Sequence, residues 1–218
     1  MALNRQELHQ KINRSRSLQE RLNDGSNANL SLVSEQWLQK ADKVGLLPQI
    51  EHEFQIYQQL DAVGLMGTIT PVCDLDFGIY EYPAAIYLSL IGQGASLWEY
   101  ALAHLSGEMS TADWQSLCRA TGEKISKFHA GGFVHIDLHA GNIVIELEEN
   151  EWQPFLIDFG LSTCETIEYP FLVVERRVFD AETDLEKLLE SLSGLVQELP
   201  DSFSLGLRDL EDAACPHY

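Results

Sequence analysis

The sequence is short of positive charge. Among 218 residues, 14 are Lys or Arg and 34 are Asp or Glu, a formal charge of −20. Holding nucleic acid on a general basic surface requires clustered cations, so no nucleic-acid partner is expected. No apolar run approaches the roughly 20 residues that cross a bilayer, which predicts no membrane span. The N-terminus lacks the uninterrupted apolar core of a secretory signal, so Sec-type export is not expected. Cysteine is sparse as well. Cys73, Cys118, Cys164 and Cys215 stand far apart, with no C-x-x-C pair and no Cys/His cluster at zinc spacing. Scattered thiols of this kind read as buried or idle groups in a reducing compartment, not as a disulfide framework. Internal repeats and low-complexity tracts are missing too.

What remains suffices for a core. Hydrophobic residues make up 45% and charged residues 22%, the composition of a globular chain with one domain or two small ones. The few cations are unevenly placed. Arg5, Lys11, Arg14, Arg16 and Arg21 crowd the first 21 residues against only Glu7 and Glu20. Two readings follow: a helix whose basic face docks on an acidic body, or a targeting or secretion segment. The docked helix is the simpler.

Periodicity sets out the elements. Leu8, Ile12 and Leu18 suit an amphipathic helix over 5–20. Asn23-Asp24-Gly25-Ser26-Asn27 is a turn signal. Leu30 and Leu32, then Trp37 to Lys40, read as two short strands of a hairpin. Pro48 followed by Ile50, Phe54, Ile56, Tyr57 and Leu60 predicts a helix over about 49–61. Residues 69–79 and 84–91 are β-rich, and Gly92-Gln93-Gly94 ends the second run. Ser96 caps a helix to about 105, and Ser110-Thr111-Ala112-Asp113 opens a longer one that Gly131-Gly132 stops after His129. Residues 133–134, 143–147 and 155–157 read as strands around polar loops. A last helix is predicted over 182–198, with Leu185, Leu188, Leu189, Leu192 and Leu195 on one face.

The chemistry concentrates in Phe133-Val134-His135-Ile136-Asp137-Leu138-His139-Ala140-Gly141-Asn142 and in Phe155-Leu156-Ile157-Asp158-Phe159-Gly160. A polar loop carrying a carboxylate and an amide lies between apolar strands. A second carboxylate ends the next strand before a glycine turn. A hairpin would set Asn142 beside Asp158, and an amide oxygen next to a carboxylate suits Mg²⁺. Asp137 is then placed to orient a hydroxyl for attack on a phosphoryl group.

These segments resemble the protein-kinase-like superfamily, whose catalytic loop H-x-D-x-x-x-x-N is followed by D-F-G. With His139 two residues after Asp137, the loop looks more like the atypical branch of RIO-like kinases, lipopolysaccharide kinases and aminoglycoside phosphotransferases. The resemblance implies an α+β, two-lobed fold. Residues 1–21 would form a basic helical segment, and 22–92 a small antiparallel-sheet N-lobe with one helix. Residues 93–218 would form a reduced, mostly helical C-lobe. It implies ATP and Mg²⁺ as cofactors. Asp137 would be the catalytic carboxylate, with Asn142 and Asp158 holding metal. Lys40 would neutralise phosphate charge (Lys43 is its rival), and Glu53 would hold that lysine (Glu51 is the alternative). Gly25, Ser26 and Asn27 fall where the family has its glycine loop, with one glycine where the pattern has three. Adenine would lie along the backbone of Ser89, Leu90 and Ile91. Asp184 resembles the buried aspartate that ties down the catalytic loop, and His135 is expected as a packed core residue. A second D-F-G at Asp76-Phe77-Gly78 precedes the catalytic loop and reads as a turn.

Several family features are absent. Ile136 replaces the Arg that serves phospho-control. No A-P-E lies between Asp158 and Asp184, where Arg176-Arg177 could meet an acidic substrate. The roughly twenty residues after the last predicted helix are too few for the extra helices of a full kinase C-lobe. Without insertions to build a closed small-molecule pocket, a protein substrate is expected. The implied activity is transfer of the γ-phosphoryl group of ATP to a Ser or Thr hydroxyl (Tyr less so). The resemblance extends to minimal bacterial kinases, including effectors delivered into host cells. It implies a cytoplasmic protein or one secreted into a host by a non-Sec route. A small-molecule phosphotransferase and a pseudokinase binding module are the rival readings.

Overall fold

The computed structural model describes residues 2–23, 28–42, 47–76, 85–167, 180–195 and 200–214. Within them the fold is α+β, with antiparallel sheets and seven helices. Gly25, Ser26, Asn27, Lys43, Phe77, Gly78, Arg176, Arg177 and Cys215 lie outside the described residues.

The basic N-terminal segment forms two helices, α1 (Arg5–Ser15) and α2 (Leu18–Asn23), where one was predicted. Ser17 causes the break. Its hydroxyl accepts from the Glu20 amide at 3.3 Å while the Glu20 carboxylate accepts from the Ser17 amide at 2.7 Å. This S-x-x-E capping box restarts the helix. Leu8 and Ile12 are buried, and the basic face docks on acidic groups of the body, as the simpler reading expected. Arg5 meets Asp113 at 2.7 Å, Lys11 meets Glu108 at 2.6 Å, and Arg21 meets Glu99 at 2.8 Å.

Strands β1 (Ala28–Leu32), β2 (Trp37–Asp42) and β3 (Ala85–Ser89) form an antiparallel sheet with β2 in the centre. Helix α3 (Leu47–Ala62) packs against β2 and β3. Residues 69–76 form no strand of their own, contrary to expectation. They run beside β3 through a single Cys73–Leu88 bridge and bonds from Asp74 N to Tyr87 O (2.9 Å) and from Ser89 N to Val72 O (2.7 Å). Pro71 accounts for this irregularity, since it has no N–H for a ladder.

Helix α4 (Leu97–Leu105) starts at Ser96 and α5 (Thr111–Ala130) at Ser110, both as predicted. After α5 come a two-residue strand β4 (Phe133–Val134) and the hairpin β5 (Ile143–Glu148) with β6 (Glu151–Leu156). Its turn residues Glu149 and Asn150 have φ of 49° and 68°, the left-handed values that match hairpin twist. Strand β7 (Thr163–Cys164) pairs with β4.

Helix α6 (Ala181–Ser193) is capped by Asp180 and ends earlier than predicted, because Gly194 closes it with a bond from its amide to Glu190 O at 2.9 Å. The helix predicted over 182–198 is not the last: one more, α7 (Asp201–Ala214), follows it. Phe203, Leu207, Leu210 and Ala214 form its buried stripe, and it lies along α5. The approach is close enough to need glycine on both helices. A Cβ on Gly122 would overlap the Leu210 carbonyl, and one on Gly206 would overlap the Trp114 indole. Trp114 is fully buried and donates its Nε1 hydrogen to Phe203 O at 3.2 Å.

A candidate phosphotransfer site

Lys40 sits mid-sheet on β2, opposite Leu30 on one side and Ile86 on the other. Its side chain is buried, and the ammonium ends 2.7 Å from Glu53 Oε2 and 2.7 Å from Asp158 Oδ1. Glu53 lies within the apolar face of α3, between Ile50 and Tyr57, and is 1% exposed. A carboxylate so placed is not on a solvated helix face; it stays charged only beside a cation. Glu51 is exposed.

The electrostatics of this triad follow from burial and proximity. Burial pulls the Lys40 ammonium down, but Glu53 and Asp158 together outweigh it and hold its pKa well above the usual lysine value. Burial pushes the Glu53 carboxyl up, against Lys40, and the nearby Asp158 charge adds to the rise. Burial also acts to raise Asp158, yet Lys40 overcomes it and keeps that carboxyl below its ordinary range. One ammonium thus serves two carboxylates, of which Asp158 is the more acidic.

Asp158 owes its direction to its neighbours. Its φ is 66°, and the following Phe159 is fully buried. The Phe159 ring meets Tyr57 edge-on at 5.3 Å, Phe128 at 5.6 Å and His135 at 5.3 Å. With Phe159 locked inward, the Asp158 carboxylate turns outward to Lys40, 46% exposed.

The catalytic-loop segment joins β4 to β5. His135 is fully buried, and burial holds its imidazole below the usual pKa, in the neutral form. Its Nε2 hydrogen goes to Ile157 O at 2.9 Å, which makes it a packed core residue, as expected. Asp184 accepts from the His135 amide at 2.6 Å and from the Ile136 amide at 2.7 Å. The Asn142 side-chain amide donates to Asp137 O at 3.0 Å, which leaves Asn142 Oδ1 as the free end of that group. The Asp137 carboxylate is half-buried and makes no hydrogen bond among the described residues. The β5–β6 register sets Asn142 opposite Ile157, whose amide donates to Asn142 O at 3.0 Å, so Asn142 faces the residue just before Asp158.

The backbone around the two segments expected to meet nucleotide is arranged as follows. The Ser89 amide is used by Val72 and the Leu90 amide by Gln36, at 2.7 and 2.8 Å, while Ile91 O accepts from Gly94 at 3.0 Å. The segment holding Gly25, Ser26 and Asn27 is preceded by helix α2 and followed by β1, so it does not join two strands. Asp76 lies exposed in a turn, with its amide on Asp74 Oδ1 at 3.1 Å.

Two contributors escaped the sequence reading. Lys187 donates to Ile136 O, and Ser191 Oγ accepts from the Ala140 amide at 3.1 Å. Their only sequence signal was the spacing 184, 187, 191, which puts them on one helix face with Asp184.

Among the described residues, no group of three or more His, Cys, Asp or Glu side chains could hold a metal ion. Asn142 and Asp158 nevertheless fit Mg²⁺, which takes one or two protein oxygens and fills its shell with water and phosphate.

Comparison with known proteins agrees with this geometry. A segment of 46 residues is 41% identical to the "EKC/KEOPS complex subunit BUD32" of Kluyveromyces lactis, covering 21% of this chain and 18% of that protein. The chain thus matches under a fifth of that relative's length. The model of the lipopolysaccharide kinase (Kdo/WaaP) family matches residues 43–198. That match takes in Glu53, the segment from His135 to Asn142, Asp158 and Asp184, and the chain belongs to the lipopolysaccharide kinase (Kdo/WaaP) family.

Proposed function

We propose that this protein transfers the γ-phosphoryl group of Mg²⁺-bound ATP to a Ser or Thr hydroxyl of a protein. The observation that carries the phosphotransfer reading is the Lys40 ammonium, shared at 2.7 Å by Glu53 and Asp158, at the end of the hairpin that bears Asn142. In this reading Lys40 neutralises phosphate charge and Glu53 keeps it in place. Asn142 and Asp158 hold Mg²⁺, which when bound supplies charge neutralisation between phosphates. Asp137 orients the acceptor hydroxyl and takes its proton as the oxygen bonds to γ-phosphorus and the bond to ADP breaks. Adenine pairs with backbone from the Leu90 carbonyl onward, since the Ser89 and Leu90 amides are engaged.

A protein acceptor is supported by the placement of α7, which among the described residues packs along α5 and so adds no wall beside the Asp137 loop. A sugar hydroxyl is the second reading, favoured by the description of the family. We further propose action in the cytoplasm, whether of its own cell or of a host; the free thiols Cys73, Cys118 and Cys164 support this.

Incubation with γ-labelled ATP, a cell lysate and purified lipopolysaccharide tests both acceptors. Label on protein that yields phosphoserine or phosphothreonine is the expected result. Label confined to lipopolysaccharide or small sugars would establish the second reading. Nucleotide binding without transfer would make the protein a binding module.

A further inference from the structure

Ile136 holds the residue position just before Asp137 with φ of 68°. A β-branched side chain is strained in that region and stays there only when its surroundings fix it. Helix α6 supplies the fixing from one face. Asp184 takes the amides of His135 and Ile136, Lys187 donates to the Ile136 carbonyl, and Ser191 takes the Ala140 amide. These contacts do different work. Asp184 fixes the peptide planes that enter Ile136. The Ile136 carbonyl belongs to the next plane, the one that carries the Asp137 nitrogen and Cα. Lys187 is the α6 side chain on that plane, so it sets the direction in which the Asp137 side chain leaves the backbone. The position two after Asp137 makes no such contribution, because His139 Nδ1 is used locally by the Gly141 amide at 3.1 Å.

We propose that Lys187 is a positioning residue for Asp137, acting through the Ile136 carbonyl. The inference rests on the phosphotransferase reading and predicts where a rate loss falls. Misplacing a reacting group by about an ångström can cost on the order of 10²-fold in turnover, while the Lys40 end of the site is untouched. The test compares Lys187→Met, Lys187→Gln and Lys187→Arg with wild type. Turnover is expressed per nucleotide-binding site, titrated with a fluorescent ATP analogue, so that unfolded protein does not count. Lys187→Met and Lys187→Gln are expected to lower kcat by about tenfold or more with KM for ATP within about twofold. Lys187→Arg is expected to restore kcat to within about threefold, since guanidinium can also donate to a carbonyl. An unchanged kcat in the Met and Gln variants, a loss confined to KM, or no rescue by Arg would overturn the proposal. If wild type itself transfers no label, the phosphotransferase reading fails first and this inference with it.

Discussion

Replacing Lys40 by Met keeps the apolar stem of the side chain and deletes the charge. The two carboxylates then fare differently. The Asp158 side chain is 46% exposed and can be hydrated, whereas Glu53 is 1% exposed and cannot. Removing one partner of a buried pair costs about 3–5 kcal/mol, because the other charge is left without compensation. Hydration of Asp158 places Lys40→Met at the lower end, about 3 kcal/mol. For a chain of this length each kcal/mol moves Tm by roughly 2–4 °C, so a fall of about 6–12 °C is expected at neutral pH. The pH dependence has a definite sign. Burial already pushes the Glu53 carboxyl up, and without Lys40 its folded pKa rises further above the unfolded value. Between those two values the folded state holds the extra proton, so the variant loses stability as pH rises through that window. Asp158 adds to the contrast. In wild type its lowered pKa contributes stability that fades as pH falls through it. The deficit of Lys40→Met should therefore be largest near neutrality and shrink toward about pH 5. Thermal melts followed by circular dichroism, with Glu53→Gln added as a second substitution, read this directly. A Lys40→Met protein that melts with wild type at neutral pH, a deficit that grows in acid, or no recovery on adding Glu53→Gln would refute the reasoning.

Two further perturbations probe the scaffold. Gly206→Ala puts a methyl group into the Trp114 indole and should cost about 1–3 kcal/mol, seen as a lower urea midpoint with turnover per folded molecule unchanged. Arg21→Ala strands Glu99, whose side chain is 13% exposed, and should cost about 3 kcal/mol in a denaturant titration, with partial recovery on adding Glu99→Gln.

Local signals carried most of the fold into the sequence. Ser96 and Ser110 start their helices where side-chain caps predict, and Gly131 ends α5. The β1–β2 and β5–β6 hairpins follow from short apolar runs around turns. Asp137, Asn142 and Asp158 of the candidate site could be picked out because they cluster in two segments, one on each side of the β5–β6 hairpin, while Lys40 and Glu53 lie apart on β2 and α3. Helix α7 was missed although Pro200-Asp201 and the stripe from Phe203 to Ala214 repeat the start signal and periodicity used for α3. The break at Ser17 carried a capping-box signal that the apolar spacing of Leu8, Ile12 and Leu18 overrode. The strand expected at 69–79 failed at Pro71 within the described residues. Lys187 and Ser191 could not be read, because their partners lie about fifty residues away and a helical stripe does not reveal which backbone it faces. The burial of Glu53 was hidden for the same reason: a carboxylate in an apolar stripe is explained only once Lys40 is beside it.

The central claim is that Asp137, Asn142 and Asp158 serve one metal–nucleotide site facing Lys40. Label transfer from γ-labelled ATP, measured beside nucleotide titration with Mg²⁺ and with a chelator, tests it most directly on wild type, Asp137→Asn and Asp158→Asn. Asp137→Asn should bind nucleotide as wild type does and transfer about 10²–10⁴-fold more slowly. Asp158→Asn should lose the strengthening of nucleotide binding by Mg²⁺. Transfer at the wild-type rate by both variants would contradict the claim.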